Sequence, residues 1–193
     1  MTLTLRPPRL KPWVRSHVET AGHFRIFDVL KADMVLPNGE PCPHPIYTFS
    51  CATWCNVLAF TPENEAVFVW QYRHGTDTIS LEMPGGVVDL WEAPMEGARR
   101  ELREETGYAI EQLETLMVVH PNPAIQGNTH HTFLGWGAKL AGAPKFDPGE
   151  ECEVALIPMA DLEALIDEGL VTHVLCVSAI ERFLRMQSKR AKR

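Results

Sequence analysis

The 193-residue sequence predicts an α+β domain in which helices pack against a mixed β-sheet. Its composition is that of an ordinary globular domain, since 45% of the residues are hydrophobic and 22% are charged. β-rich runs recur along most of the chain and are separated by turn-forming residues. Three stretches have a helical pattern instead, at residues 93–106, 160–168 and 174–186. Because strands precede, separate and follow these helices, we expect one layered domain without internal repeats.

The predicted strands begin with a hairpin between His23 and Tyr47. Its first strand alternates apolar and polar residues imperfectly, and Leu36-Pro-Asn-Gly39 supplies a turn. Later strands are predicted at residues 48–60, 66–72, 116–120, 131–140 and 152–157. The first two of these form a further pair, because the segment between them is rich in turn formers.

The first predicted helix, residues 93–106, has well-marked ends. Pro94 lies near its start, where the missing N–H does no harm, and Gly107 follows its end, where a left-handed residue can close the helix. With 3.6 residues per turn, three carboxylates share one face, and these are Glu101, Glu104 and Glu105. Another face is apolar and carries Met95, Ala98 and Leu102.

The three glutamates repel one another, so the cluster needs a positive partner. One interpretation is a solvated helix in which Arg99, Arg100 and Arg103 form ion pairs. The other is a divalent metal site, because Pro84-Gly85-Gly86 precedes the helix and allows a backbone carbonyl to join the carboxylates. Oxygen donors of this kind suit Mg²⁺ or Mn²⁺ and leave room for the phosphate oxygens of a substrate.

Charge and hydropathy argue against two classes of partner. The formal net charge of −7 disfavours a nucleic-acid surface, which needs an excess of Lys and Arg. The basic segment Lys189–Arg193 is more often a frayed, solvated tail than a binding arm. No uninterrupted apolar run approaches the roughly 18 residues of a membrane span. We therefore expect neither nucleic acid nor membrane as a partner.

The N-terminus and the cysteines predict a cytoplasmic location. Residues 1–13 contain three prolines and no apolar core of the length that a secretory signal requires. Five cysteines, an odd number without paired spacing, fit a reducing compartment better than a disulfide framework. Cys51 and Cys55 could suggest zinc, but no second Cys or His pair follows at finger-like spacing. Buried thiols are the preferred interpretation.

The first helix and its flanks follow one continuous pattern, Gly86-x5-Glu92-x7-Arg100-Glu101-Leu-x-Glu104-Glu105-x-Gly107-Tyr108. We refer to this pattern as the box. In it, the chain resembles the Nudix hydrolases. The resemblance implies a mixed sheet sandwiched between helices. It also implies hydrolysis of a nucleoside diphosphate linked to another group, with Mg²⁺ as cofactor and Mn²⁺ as the alternative.

The resemblance assigns roles within the box. The metal ligands that it implies are Glu101, Glu105, Glu104 and the carbonyl of Gly85. Glu104 is either a further ligand or a carboxylate that orients water. Arg100 has a supporting part in catalysis, because its guanidinium can fork onto a neighbouring glutamate such as Glu92.

Two segments before the helix resemble the Nudix subfamily that hydrolyses ADP-ribose and other nucleoside diphosphate sugars. They are Gln71-Tyr-Arg73 and Leu81-Glu82-Met-Pro-Gly-Gly86. This implies a small nucleotide substrate that is cleaved, in the case of ADP-ribose, to AMP and ribose 5-phosphate. Arg73 can pair with a diphosphate oxygen and Glu82 can accept from the sugar or base, although structural pairing stays open for each.

Further substrate contacts and the general base are less defined. Gln126 and His130, after the box, offer neutral donors for sugar hydroxyls, and a structural role for them stays open. A metal-activated water must lose a proton, so a base is needed. The candidates after the box are Glu150, Glu151 and Glu153. We take Glu151 first, with Glu104 as its main rival.

The resemblance also implies an N-terminal β extension, residues 1–47, that pairs across a two-fold axis to give a homodimer. The Nudix domain is then residues 48–193. A lone two-stranded hairpin is marginal in water, so its apolar residues need a covering surface, and folding back on its own core is the alternative. Hydrolysis of dinucleoside polyphosphates or nucleoside triphosphates stays open, as does a non-catalytic nucleotide-sugar sensor. The complete set of box carboxylates favours catalysis.

Overall fold

A computed structural model of the protein describes residues 5–146 and 149–191. Part of the N-terminal segment that we expected to lack an export signal therefore lies outside the described residues. The chain divides into two compact units. The first comprises Met1–Cys51 and Asn122–Gly127, and the second comprises Ala52–Pro121 and Asn128–Arg193.

The first unit contains a three-stranded antiparallel sheet. Its strands, in spatial order, are β1 (Val14–His23), β2 (Phe27–Val35) and β3 (Ile46–Cys51). The predicted turn at Leu36–Gly39 is present, because the N–H of Gly39 donates to the carbonyl of Leu36 at 2.9 Å. The expected two-stranded hairpin was incomplete, since β1 adds a third strand. Nearly every residue of β1 is exposed, so its sequence lacks the alternation that marks a half-buried strand.

The second unit contains a seven-stranded mixed sheet. Its strands are β4 (Trp54–Phe60), β5 (Glu65–Arg73), β6 (Thr78–Glu82), β7 (Gly85–Val87), β9 (Leu113–Val119), β10 (His130–Trp136) and β12 (Cys152–Pro158). Their order is β12-β5-β4-β10-β9, with β6 paired to β5 and β7 paired to β4. The β4 and β10 pair is parallel, whereas the other pairs are antiparallel. The short strands β8 (Tyr108–Ala109) and β11 (Lys139–Leu140) form a separate pair.

Two predicted strands are broken in the structure. The run 48–60 is not one strand, because β3 ends at Cys51 and β4 begins at Trp54 in the other unit. The run 131–140 is interrupted at Gly137, whose φ of +76° is left-handed and cannot continue a strand.

The helices of the second unit are α1 (Pro94–Thr106), α2 (Leu162–Asp167) and α3 (Val174–Ala191). A 3₁₀ turn at Met159–Asp161 precedes α2, so that helix is shorter than predicted. In contrast, α3 is longer than predicted and includes residues 189–191 of the expected solvated tail, while residues 192 and 193 lie outside the described part. None of the helices formed by the described residues has the length and apolar character to cross a membrane.

The helices cover both faces of the seven-stranded sheet. Successive side chains of a strand point to opposite faces, so β4 contributes Leu58 and Phe60 to one core and Val57 and Ala59 to the other. The first core includes Phe183 and its neighbours on α3 together with α2. The second core includes residues of α1 such as Leu102. The structure therefore confirms the predicted mixed sheet between helices.

Candidate active site

The ends of α1 agree with the sequence. Its N-cap residue is Ala93, in an extended conformation, and Pro94 occupies the first turn. Gly107 closes the helix with a φ of 75°, and its N–H donates to the carbonyl of Arg103 at 2.9 Å. Ala98 and Leu102 are fully buried against the sheet. This packing fixes the direction of the carboxylates on the rest of the helix.

Gly85 and Gly86 are required by close contacts around β7. A side chain at Gly85 would place its Cβ 2.3 Å from the carbonyl oxygen of Cys55, on β4. A side chain at Gly86 would place its Cβ 2.6 Å from Oε1 of Glu101. The glycines therefore let the backbone of β7 lie directly against both β4 and the Glu101 carboxylate.

Glu105 is buried, with only 7% of the residue exposed to solvent. The N–H of Gly85 donates to its Oε2 at 2.9 Å. Burial nevertheless raises the pKa of Glu105 to about 8. Burial also raises the pKa of Glu101, and the charge and hydrogen bond of Arg100 only partly oppose this shift.

Arg100 is the positive partner that the glutamate cluster needs. Its guanidinium donates to Oε2 of Glu92 at 3.0 Å, to Oε1 of Glu101 at 2.8 Å and to Oε2 of Glu104 at 3.0 Å. It also donates to the carbonyl of Val87 at 2.9 Å. Burial alone would lower the pKa of Arg100, but these carboxylates raise it above its usual range. The predicted fork of Arg100 onto Glu92 is therefore present.

The donor set fits a divalent cation. Glu101 lies beside Gly86 and Glu105 beside Gly85, and burial raises the pKa of both carboxylates, while Glu104 joins them through Arg100. Arg100 contacts Glu101 and Glu104, which leaves the more buried Glu105 with a backbone N–H as its hydrogen-bond donor. Mg²⁺ or Mn²⁺ would stabilise such a cluster, because its ligands are hard oxygen donors whose negative charge is not fully compensated.

The structure pairs Arg73 with Glu82. Nε of Arg73 donates to Oε1 of Glu82 at 2.8 Å, and Nη2 donates to Oε2 at 2.7 Å. The side chain of Glu82 is only 3% exposed, whereas that of Arg73 is 44% exposed. Burial would raise the pKa of Glu82, but hydrogen bonds from Arg73 and His173 outweigh it and hold this pKa well below its usual range. The structural pairing that the sequence left open is thus formed, and Arg73 keeps an exposed edge.

The candidates from the segment after the box are not all brought together. Gln126 belongs to the first unit, whereas His130 begins β10 in the second. His130 is 3% exposed, and neither of its ring nitrogens has a hydrogen-bond partner among the described residues. Burial, and secondarily the charge of His173, lowers the pKa of His130 to about 4, so the ring is neutral at pH 7.

The three carboxylates considered as a general base differ in their electrostatic effect. Glu150, Glu151 and Glu153 are all exposed. Among the described residues of this group, Glu150 is the one whose charge contributes to raising the pKa of both Glu101 and Glu105. Glu150 is therefore a candidate for the general base in addition to the expected Glu151.

Sequence reasoning missed two residues near this region, His173 and Cys176. Nδ1 of His173 lies 2.9 Å from Oε2 of Glu82, and Sγ of Cys176 accepts the N–H of Met83 at 3.4 Å. They are far from the box in sequence and match no motif. Neither could be associated with Glu82 before the position of α3 was known.

Comparison with known proteins decides the family. The sequence profile described as NUDIX domain matches residues 53–173. The chain belongs to the NUDIX family. This match includes the whole box and the strands on both sides of it, so the family that the sequence resembled is confirmed.

Relatives extend the similarity beyond the box. The chain is 31% identical to the CMP-5'-(N-acetyl-N-hydroxy-3-aminopropyl)phosphonate hydrolase of Streptomyces rubellomurinus, over 81% of this chain and 75% of the relative. It is 28% identical to the ADP-ribose pyrophosphatase of Bacillus subtilis, over 81% of this chain and 84% of the relative. A crystal structure of an ADP compounds hydrolase superposes with a TM-score of 0.82 at 19% identity and covers 95% of this chain and 98% of that one. This last similarity confirms the predicted NUDIX fold.

Proposed function

We propose that this NUDIX protein hydrolyses the diphosphate linkage of ADP-ribose or a related nucleoside diphosphate sugar, with Mg²⁺, or Mn²⁺ in its place, as cofactor. The observation that carries the proposal is the cluster of Glu101 and Glu105 against Gly86 and Gly85, in which Arg100 compensates the charge of the buried carboxylates only in part. The similarity to the ADP-ribose pyrophosphatase of Bacillus subtilis supports the substrate class.

Within the proposed site, the cation is held by Glu101, Glu104, Glu105 and the carbonyl of Gly85. When bound, the cation supplies positive charge that offsets the diphosphate and polarises the attacking water. Arg100 acts on the ligands, because its hydrogen bonds to Glu101 and Glu104 restrict both side chains. Its further bond to Glu92 anchors the guanidinium in turn.

The substrate contacts follow from exposure and charge. Arg73 presents a guanidinium that Glu82 holds in one orientation, and its exposed edge is suited to a diphosphate oxygen. Gln126 and His130 stay proposed sugar contacts. The neutral ring of His130 can donate one hydrogen bond and accept another.

The proton of the attacking water needs an acceptor. Glu151 stays the first proposed base and Glu104 its rival. The electrostatic effect of Glu150 on Glu101 and Glu105 supports testing Glu150 beside them.

The substrate class is tested with a panel in the presence of Mg²⁺. The panel contains ADP-ribose, a second nucleoside diphosphate sugar, a CMP-linked phosphonate, a dinucleoside polyphosphate and ATP, and the nucleotide products are separated and measured by chromatography. We expect the highest kcat/KM for a nucleoside diphosphate sugar, with a nucleoside monophosphate as product. The CMP-linked compound is the second candidate, because the relative from Streptomyces rubellomurinus is described as the hydrolase of such a compound. A preference for ATP or the dinucleotide would contradict the proposal.

The metal site is tested with Glu105→Gln. The amide keeps the shape of the side chain and can still accept from Gly85, but it removes a negative ligand. We expect turnover to fall by roughly a hundredfold or more with the fold intact, as for a lost metal ligand. Glu163→Gln, an exposed glutamate of α2, is the matched control and should be neutral. Activity of the Glu105 variant within about tenfold of wild type would reject the assignment.

We further propose a cytoplasmic homodimer in which residues 1–47 act as an N-terminal β extension of the NUDIX domain, residues 48–193. Exposed apolar side chains of the first unit support an interface there, with Val14 at 62%, Phe24 at 57% and Ile26 at 71%. The five free thiols fit a reducing compartment.

Deleting residues 1–47 should abolish dimerisation and nucleotide-sugar hydrolysis although every box residue is kept. Sedimentation and kcat/KM measure the two effects. A full-length chain that is monomeric and fully active at nanomolar concentration would refute the dimer.

A further inference from the structure

Glu82, His173 and Cys176 form a cluster of three different donor groups in the second unit. A carboxylate oxygen, an imidazole nitrogen and a thiol sulfur lie within 4.8 Å of one another. Glu82 ends β6, His173 immediately precedes α3, and Cys176 lies in its first turn. Packing of α3 on the sheet therefore brings these donors together from distant parts of the chain.

The contacts are not those of a nucleophilic triad. In such a triad the imidazole uses one nitrogen for the nucleophile and the other for the carboxylate. Here the same atom, Nδ1 of His173, lies 2.9 Å from Oε2 of Glu82 and 3.5 Å from Sγ of Cys176. The carboxylate oxygen and the thiol sulfur therefore both lie beside the same nitrogen, as the ligands of one cation do.

We propose that Glu82, His173 and Cys176 form a Zn²⁺ site separate from the carboxylate site of the box. Carboxylate, imidazole and thiolate are the ligand types of protein zinc, and the thiolate distinguishes this site from one for Mg²⁺. Two of the three ligands are anionic when bound, and because Arg73 already offsets part of the charge of Glu82, the thiolate supplies the main negative charge for the ion.

Two of the three donor separations are close to those that zinc requires. Zinc–ligand lengths of about 2.0–2.3 Å in a tetrahedron place nitrogen and sulfur about 3.5 Å apart, and nitrogen and oxygen about 3.3 Å apart. The first separation is already met at 3.5 Å. The second, 2.9 Å, needs only a small opening by the side chain of His173, which is 38% exposed. That exposure also provides a route of entry to the buried thiol.

A second observation near the cluster points to a ligand. His130 is 3% exposed and both of its ring nitrogens lack a hydrogen-bond partner within the described residues. The charge of His173 acts on this ring, so the two histidines belong to one electrostatic environment. An unpartnered buried ring that feels the charge of His173 indicates that this part of the second unit accommodates a ligand, and water can complete the zinc coordination.

Charges around the thiol predict how binding depends on pH. Burial raises the pKa of Cys176 to about 12, with the charges of Glu82 and Glu105 adding to the shift and Arg73 opposing it. The thiol is therefore protonated at neutral pH, and zinc binding must release its proton to solvent. Zinc affinity should therefore rise with pH, because a proton must leave Cys176 for each ion that binds.

The test uses the full chain, stripped of metal under reducing conditions and kept in excess Mg²⁺ so that the box carboxylates are occupied. Zn²⁺ is titrated against a chromophoric chelator. We expect about one tightly held Zn²⁺ per chain, since the proposal provides one site. His173→Ala and Cys176→Ala should each weaken zinc binding by at least about tenfold to a hundredfold, the range seen when even an outer partner of a ligand is lost.

Cys152→Ala is the matched control, because this half-buried thiol also lies near Glu105 and Glu82 but outside the cluster. It should bind zinc like wild type. With Co²⁺ as probe, wild type and Cys152→Ala should show a thiolate-to-metal absorption band that Cys176→Ala lacks. His173→Ala alters an accessible side chain, so it tests the site even if the buried Cys176 variant fails to fold. No bound zinc in wild type, or equal affinity in His173→Ala, would overturn the proposal.

Discussion

Arg73→Ala removes one partner of the ion pair that holds the buried carboxylate of Glu82. The wild-type pair has two hydrogen bonds, of 2.8 and 2.7 Å, and Glu82 is 3% exposed. Without Arg73 the carboxylate keeps its contact with His173 but loses its main countercharge. The variant should therefore be less stable, and its active site should also lose the proposed diphosphate contact.

The size of the effect follows from burial. Removing one partner of a fully buried pair costs about 3–5 kcal/mol. Because 44% of the Arg73 side chain is exposed and His173 remains, we expect about 2–3 kcal/mol. For a chain of this length that corresponds to a fall in Tm of about 4–12 °C. The double variant Arg73→Ala/Glu82→Gln should lose less stability than Arg73→Ala, because no unpaired charge remains buried.

The sign of the pH dependence is fixed by the lowered pKa of Glu82. The pair contributes its full stability above the unfolded pKa of about 4.5, and this contribution is lost as the pH falls below it. The loss of folding stability in Arg73→Ala should therefore become smaller in acid, by up to about 1.4 kcal/mol per pH unit.

Urea unfolding at pH 7 and pH 4 measures the stability effect, with Arg182→Ala on α3 as an exposed control. Catalysis is measured separately. The fall in kcat/KM should correspond to a loss of transition-state stabilisation of roughly 1.5–3 kcal/mol, the scale of a hydrogen bond to a charged group. A stability loss under about 0.5 kcal/mol, or a double variant that is less stable than Arg73→Ala, would refute the reasoning.

Two further predictions concern pairs of residues that are adjacent in sequence but have different surroundings in the structure. Gly86→Ala should reduce turnover at least about tenfold with little change in Tm, because its Cβ meets only side-chain atoms of Glu101, which can shift by rotating. Gly85→Ala places its Cβ against the backbone of β4 and should cost more than about 3 kcal/mol in a urea titration. Equal stability of the two variants would contradict this. Glu150→Gln should shift the acid limb of the plot of kcat/KM against pH to lower pH, since it removes a charge that raises the pKa of Glu101 and Glu105. If Glu151→Gln causes this shift and Glu150→Gln does not, Glu151 is the carboxylate that acts on the site.

Local patterns in the sequence predicted most of the second unit. The ends of α1 depend on Pro94 and Gly107, and the side-chain faces of a helix follow from its period, so both could be predicted from a short stretch. The fork of Arg100 onto Glu92 was also accessible, because both belong to the box. What β1 lacked was burial, and without a buried face it had no alternation to detect.

The parts that could not be predicted depend on distant contacts. Met83 and Cys176 are 93 positions apart, and nothing in either segment indicates the other. The pairing of Arg73 with Glu82 could be suggested as an alternative, but choosing it needed the adjacent ends of β5 and β6. The balance between Glu150 and Glu151 depends on how the chain enters β12, which the surrounding sequence does not specify.

The parallel pairing of β10 with β4 has a consequence for the order of folding. β4, β7 and α1 are close in sequence, so the carboxylate cluster can assemble through short loop closures. β10 must instead return across a long separation, as the hydrogen bond from Asn128 to Ala52 shows at 76 positions. Contacts of that range are entropically costly and form slowly. We therefore expect the strand that carries His130 to dock late, after β4, β7 and α1 have brought the box carboxylates together.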